Sequence, residues 1–229
     1  MDAKEIKRIF YRDGYRLAHQ HLDQGITAAN LSKAIAELYQ AVDELLHSFI
    51  QRSETEGSSP ECKKGCAWCC HQEVFAVTHE FLYLQDHLRQ NLSDEVREQI
   101  LERAREKVML TLNLSLDEQL KVRSACPLLH AGSCLAYEAR PMACRIYLST
   151  SVASCKRDHD HPHNQKSIPE LLEFPLLAGR MLNQGFVACL KQFGLGSSEL
   201  SIEQGYSSML TMGQTMEDWL EGSSSFKSS

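Results

Sequence analysis

Apolar positions recur at helical spacing over most of this chain. Leu31, Ile35, Leu38, Val42, Leu45, Leu46 and Phe49 alternate with Lys33, Glu37, Gln40, Asp43 and Glu44, which predicts one amphipathic helix. Asp13-Gly14 and Asp23-Gln24-Gly25 are breakers, so Ile6 to His21 is expected as a separate helix joined by a short turn. Residues 53–60, rich in Ser, Glu and Gly and ending at Pro60, read as a polar loop.

Farther on, Glu73 to Val77 is the one segment expected to be extended. Thr78 is expected to cap a helix carrying Phe81, Leu82, Leu84, Leu88 and Leu92. Ser93-Asp94-Glu95 starts another, and Ser115-Leu116-Asp117-Glu118 has capping-box spacing. Ser167-Ile168-Pro169-Glu170 and Ser201-Ile202-Glu203-Gln204 repeat that spacing, and Pro175 is expected to kink or restart the helix that follows the first of them.

Composition narrows the function. The net charge of -6 over 229 residues argues against a general nucleic-acid surface. No stretch approaches the ~18 apolar residues of a membrane span. Met1 to Glu5 opens a charged, helix-like segment rather than a secretory leader, so a reducing cytoplasmic location is expected. At this length a full core can be buried without metal.

Cysteine usage points to metal nonetheless. Seven of nine cysteines fall into two knots: Cys62, Cys66, Cys69 and Cys70 (C-x3-C-x2-C-C), then Cys126, Cys134 and Cys144. Crowded thiolates repel unless a cation neutralises them. Disulfides fit poorly, because the total is odd and the expected compartment is reducing. Cys66 and Cys69 can direct two sulfurs to one ion from a turn, with Gly65 allowing a tight backbone. Successive side chains diverge, so Cys69 and Cys70 are expected to differ in role. Cys126-Pro127 and Ala131 to Cys134 read as loops, and Leu135 to Arg140 as a helical turn ended by Pro141. The second knot lacks a close pair, which disfavours an ordinary zinc ribbon.

Other groups stand nearby. Lys63, Lys64, Arg140 and Arg145 are placed either to offset cluster charge or to pair with surface carboxylates. His71 and His130 are reserve ligands. His159, His161 and His163 alternate, so extended backbone would aim them at one face, where they would either join Cys155 on a second ion or form a solvated loop. Cys189, among Phe186, Val187 and Leu190, is expected as core filler.

The knots, with Cys126-Pro127-Leu128-Leu129, Gly132-Ser133-Cys134 and Tyr137-Glu138-Ala139-Arg140-Pro141-Met142-Ala143-Cys144-Arg145, resemble the YkgJ-type cysteine-cluster family, described as zinc- or iron-chelating. The resemblance spans roughly Cys62 to Cys155. It implies a metal-binding module with eight chelating cysteines, Cys155 being the eighth, and the motif also occurs in flagellin lysine methylases with an iron-sulfur cluster. The Cys62, Cys66, Cys69 spacing with Trp68 is also that of radical S-adenosylmethionine enzymes, but their strand-helix alternation is absent here.

The expected architecture is mainly α, a single helical domain over residues 1–222 in which N- and C-terminal helices pack around a loop-rich, metal-bound cysteine core at about 60–157. Residues 223–229 are too polar to order themselves. The expected function is metal binding, by an iron-sulfur cluster or zinc on Cys62, Cys66, Cys69, Cys70, Cys126, Cys134, Cys144 and Cys155. The alternatives are a redox or S-adenosylmethionine-dependent methyl-transfer enzyme and a metal storage or delivery protein. Enzyme status stays open, since no catalytic set is legible. The expected partners are a metal ion or cluster and a protein, with neither membrane nor nucleic acid.

Overall fold

The computed structural model describes residues 2–55, 57, 59–63, 65–212 and 214–222, without the side chains of residues 3 and 209–212. Lys64 and the tail 223–229 lie outside the described residues. The fold is mainly helical, as expected.

Helix α1 (Ala3–Leu22) is capped by Asp2, whose carboxylate accepts from the Glu5 N–H at 2.7 Å. The expected break at Asp13-Gly14 does not occur. Gly14 instead lies where α8 (Glu173–Gln192) crosses α1, and a Cβ there would sit 1.9 Å from the Leu182 carbonyl oxygen. Gly185 answers from α8: its Cβ would sit 1.8 Å from the Tyr11 oxygen. The two glycines let the helices touch backbone to backbone. Helix α2 (Ala28–Thr55) packs beside α1 and buries Leu31, Ile35, Leu38, Val42 and Leu46, while running six residues past Phe49 into the expected loop.

The extended segment is borne out as β1 (Phe75–Val77), which pairs antiparallel with β4 (Glu199–Ser201), Ala76 facing Leu200. Helix α3 (Thr78–Asn91) follows at once. Thr78 is its first residue rather than its cap, and the Thr78 hydroxyl instead donates to the Ser198 carbonyl. Helix α4 (Asp94–Thr111) is capped by Ser93, and α5 (Leu116–Gln119) carries the expected Ser115/Glu118 box. Helix α9 (Ile202–Met212) packs on α4 and α3 and begins with the expected Ser201/Gln204 box. Helix α10 (Met216–Leu220) ends the described chain.

The box expected at Ser167 fails. Residues 167–172 are not helical, because the Glu170 N–H donates to the Ser154 hydroxyl and Leu171 bridges to Ser149. Tertiary bonds take the donors a helix would use. Helix α8 begins at Glu173, so Pro175 falls in its first turn, where a missing N–H costs nothing, and no kink results.

Candidate metal centre

The eight cysteines of residues 62–155 sit on loops and short elements, one of which, Met142–Arg145, packs on α2 and α8. Cys62 and Cys66 lie in loop, with Gly65 at φ 90° as the turn expected between them. Cys69 and Cys70 belong to a 3-10 turn, Trp68–His71. Cys134 ends a two-residue ladder in which β3 (Ser133–Cys134) pairs with β2 (Leu129–His130). That hairpin replaces the expected loop, and Ala131 (φ 48°) and Gly132 (φ 76°) supply the two left-handed residues its tight turn requires. Tyr137–Ala139 form the expected helical turn, and Cys144 lies in α6 (Met142–Arg145). Cys155 is buried in α7 (Val152–Asp160).

Backbone bonds bring the two knots together. The Cys126 N–H donates to the Cys70 carbonyl at 2.7 Å, and the Ser124 N–H to that of His71 at 3.1 Å. On the other side the Glu61 N–H donates to the Ser149 carbonyl at 2.9 Å, while the Ser149 N–H donates to the Cys62 sulfur at 3.2 Å. Ser149 had no signal in the sequence, since any residue can supply a backbone N–H.

All nine cysteines are free. Burial raises the thiol pKa at Cys62, Cys134, Cys144 and Cys155, and the nearby charge of Cys69 adds to the rise at each. Burial likewise lifts Cys126 to about 12. The adjacent pair diverges: a hydrogen bond from Cys70 brings Cys69 down to about 7, and that same bond, then burial, pushes Cys70 up. The neighbours sort in two groups. Cys66 and Cys155 act on Cys62, Cys126 and Cys144 act on Cys70, and Cys69 is felt in both groups. Among the described residues no three Cys, His, Asp or Glu side chains yet stand as one ion's ligand set.

The basic residues are mostly occupied elsewhere. Arg145 is buried over the Tyr39 ring, 4.0 Å from its centroid, and donates to the Asp43 carboxylate and to the Arg140 and Glu138 carbonyls. Arg140 lies 3.8 Å from Asp43, yet its charge still lowers the Cys134 thiol against burial. Glu80, buried and raised above the usual carboxylate range by burial, accepts from the Met142 N–H at 2.7 Å and from the Tyr39 hydroxyl at 3.2 Å. It fixes the start of α6, and so the position of Cys144.

The histidines depart from expectation. His159 lies inside α7, His161 caps it and His163 follows in a turn, so no extended strand aligns the three. His130 is exposed on β2. His71, by contrast, lies against His159, ring centroids 5.1 Å apart. Cys189 is fully buried in the core on α8, as expected.

No helix among the described residues is long and apolar enough to cross a membrane. None of the curated proteins and none of the solved structures compared matches the chain. Residues 61–167, which contain both knots and Cys155, match the family model CxxCxxCC, described as a putative zinc- or iron-chelating domain.

Proposed function

We propose that residues 61–167 form a metal centre in which Cys62, Cys66, Cys69, Cys70, Cys126, Cys134, Cys144 and Cys155 hold zinc or an iron-sulfur cluster. One observation carries this reading: the eight thiols are all free and partly or fully buried, and the charge of Cys69 is felt at Cys62, Cys70, Cys134, Cys144 and Cys155. The donor set is all sulfur, which suits zinc and iron-sulfur clusters alike. The adjacent pair and the two neighbour groups favour a polynuclear centre, and iron over zinc.

A bound metal would supply the positive charge that lets buried thiols ionise. The chain itself supplies position. Ser149 donates an N–H to Cys62, Glu80 sets Cys144, and the Cys126 to Cys70 backbone bond holds the knots in register. The role we assign is structural: residues 1–222 fold as one unit, in the reducing cytoplasm, with the metal fixing loops that have little regular structure of their own.

The test is anaerobic purification followed by iron, zinc and sulfide analysis with a visible spectrum. Stoichiometric metal lost on replacing these cysteines is expected. Folded, monodisperse, metal-free protein that takes up neither metal on reconstitution would overturn the reading.

A further inference from the structure

Two imidazoles beside the cysteines, His71 of the 3-10 turn and His159 of α7, lie edge to face. The His71 Nδ1 lies 3.0 Å from the Ala67 carbonyl oxygen, and the His159 Nδ1 lies 3.1 Å from a carboxylate oxygen of Asp160. Both oxygens can only accept, so each Nδ1 carries the proton and each Nε2 of the neutral ring is left with its lone pair. Metal-binding histidines are characteristically set up this way, with the remote N–H given to a carbonyl or carboxylate that fixes both tautomer and ring orientation. Among the described residues neither Nε2 has a hydrogen-bond partner.

The spacing also agrees. The two ring centroids are 5.1 Å apart with an interplanar angle of 84°. Two imidazoles on one tetrahedral ion, each with a metal-nitrogen bond of about 2.0–2.1 Å, place their centroids roughly 5 Å apart. Trp68 packs on His159 at 5.2 Å and holds that ring in place. The His159 side chain keeps 26% of its exposure, so an ion can reach it from solvent.

We propose that His71 and His159 form a second metal site, distinct from the eight cysteines, that takes a divalent first-row transition ion such as zinc through their Nε2 atoms. Water completes the shell, which makes the ion exchangeable. Imidazole suits zinc, cobalt, nickel and copper.

The experiment is a zinc titration, repeated with cobalt, of the full chain purified with its cysteine centre loaded. Binding is followed by calorimetry and by the imidazole resonances. Wild type is expected to take up one additional ion, shifting His71 and His159. His71→Ala and His159→Ala should each weaken that ion at least tenfold while keeping the cysteine-bound metal. Asp160→Ala, which leaves both imidazoles present, should weaken it by roughly 10- to 100-fold. The pair His161→Ala and His163→Ala should change nothing. Equal uptake by wild type and the His71→Ala/His159→Ala double variant would overturn the proposal, as would loss of uptake on changing His161 and His163 alone. Thiolate-to-cobalt charge transfer reports the cysteine centre, so failure there is distinguishable from failure of the histidine pair.

Discussion

The ammonium of Lys107 lies 3.1 Å from a carboxylate oxygen of Glu203, and both side chains are sealed from solvent. Glu73, equally buried, stands 3.4 Å from the same ammonium. One cation thus serves two carboxylates that come from the strand side of the cysteine turn and from α9. Lys107→Met leaves them facing each other and should cost about 3–5 kcal/mol, the range for breaking a buried pair. Urea denaturation would measure it.

The same triad predicts a pH dependence. Burial, then the hydrogen bond and charge of Glu203, raise Glu73 from 4.5 to about 7. Between those values the folded state holds a proton that the unfolded chain has released, so its contribution to stability is full below pH 4.5 and is lost as pH rises through about 7. Glu73→Gln should flatten this part of the stability profile, and denaturation at a series of pH values would show it.

Gly185→Ala should destabilise by about 3 kcal/mol or more, because its Cβ would fall 1.8 Å from the Tyr11 carbonyl oxygen and rigid backbone must move. A lowered melting temperature is the readout. An unchanged one would mean α1 and α8 do not touch as described.

Cys69 and Cys70 should not be equivalent. Cys69→Ser is expected to lower the whole metal content, since Cys69 neighbours both cysteine groups, whereas Cys70→Ser should spare the group of Cys62, Cys66 and Cys155. Elemental analysis of the two variants compares them directly. Cys189→Ala should leave metal content intact and cost about 1 kcal/mol, as small core truncations do.

Legibility followed locality. The α2 stripe was readable because Leu31, Ile35, Leu38 and Val42 all face one buried side, and the Ser115 and Ser201 boxes because their bonds span three residues. Gly14 misled because its reason is Leu182, far along the chain. Ser167 misled because Ser154 takes the donor its box needed. The alternation of His159, His161 and His163 lost to α7, whose Ser151 cap accepts from the Ser154 N–H at 3.1 Å. Both cysteine knots were legible by spacing, but the carbonyl of Cys70 as the partner of Cys126 was not, because spacing says nothing of backbone pairing.

The contact between α1 and α8 also imposes an order in time. On a ribosome α1 emerges before α8 and can find it only when residues up to 192 have followed. Every proposed metal ligand, from Cys62 to His159, is therefore made before that pairing can close, and a long-range contact of this kind forms late. The proposed ligands are thus complete while the helix that packs on Met142–Arg145 is still unsynthesised.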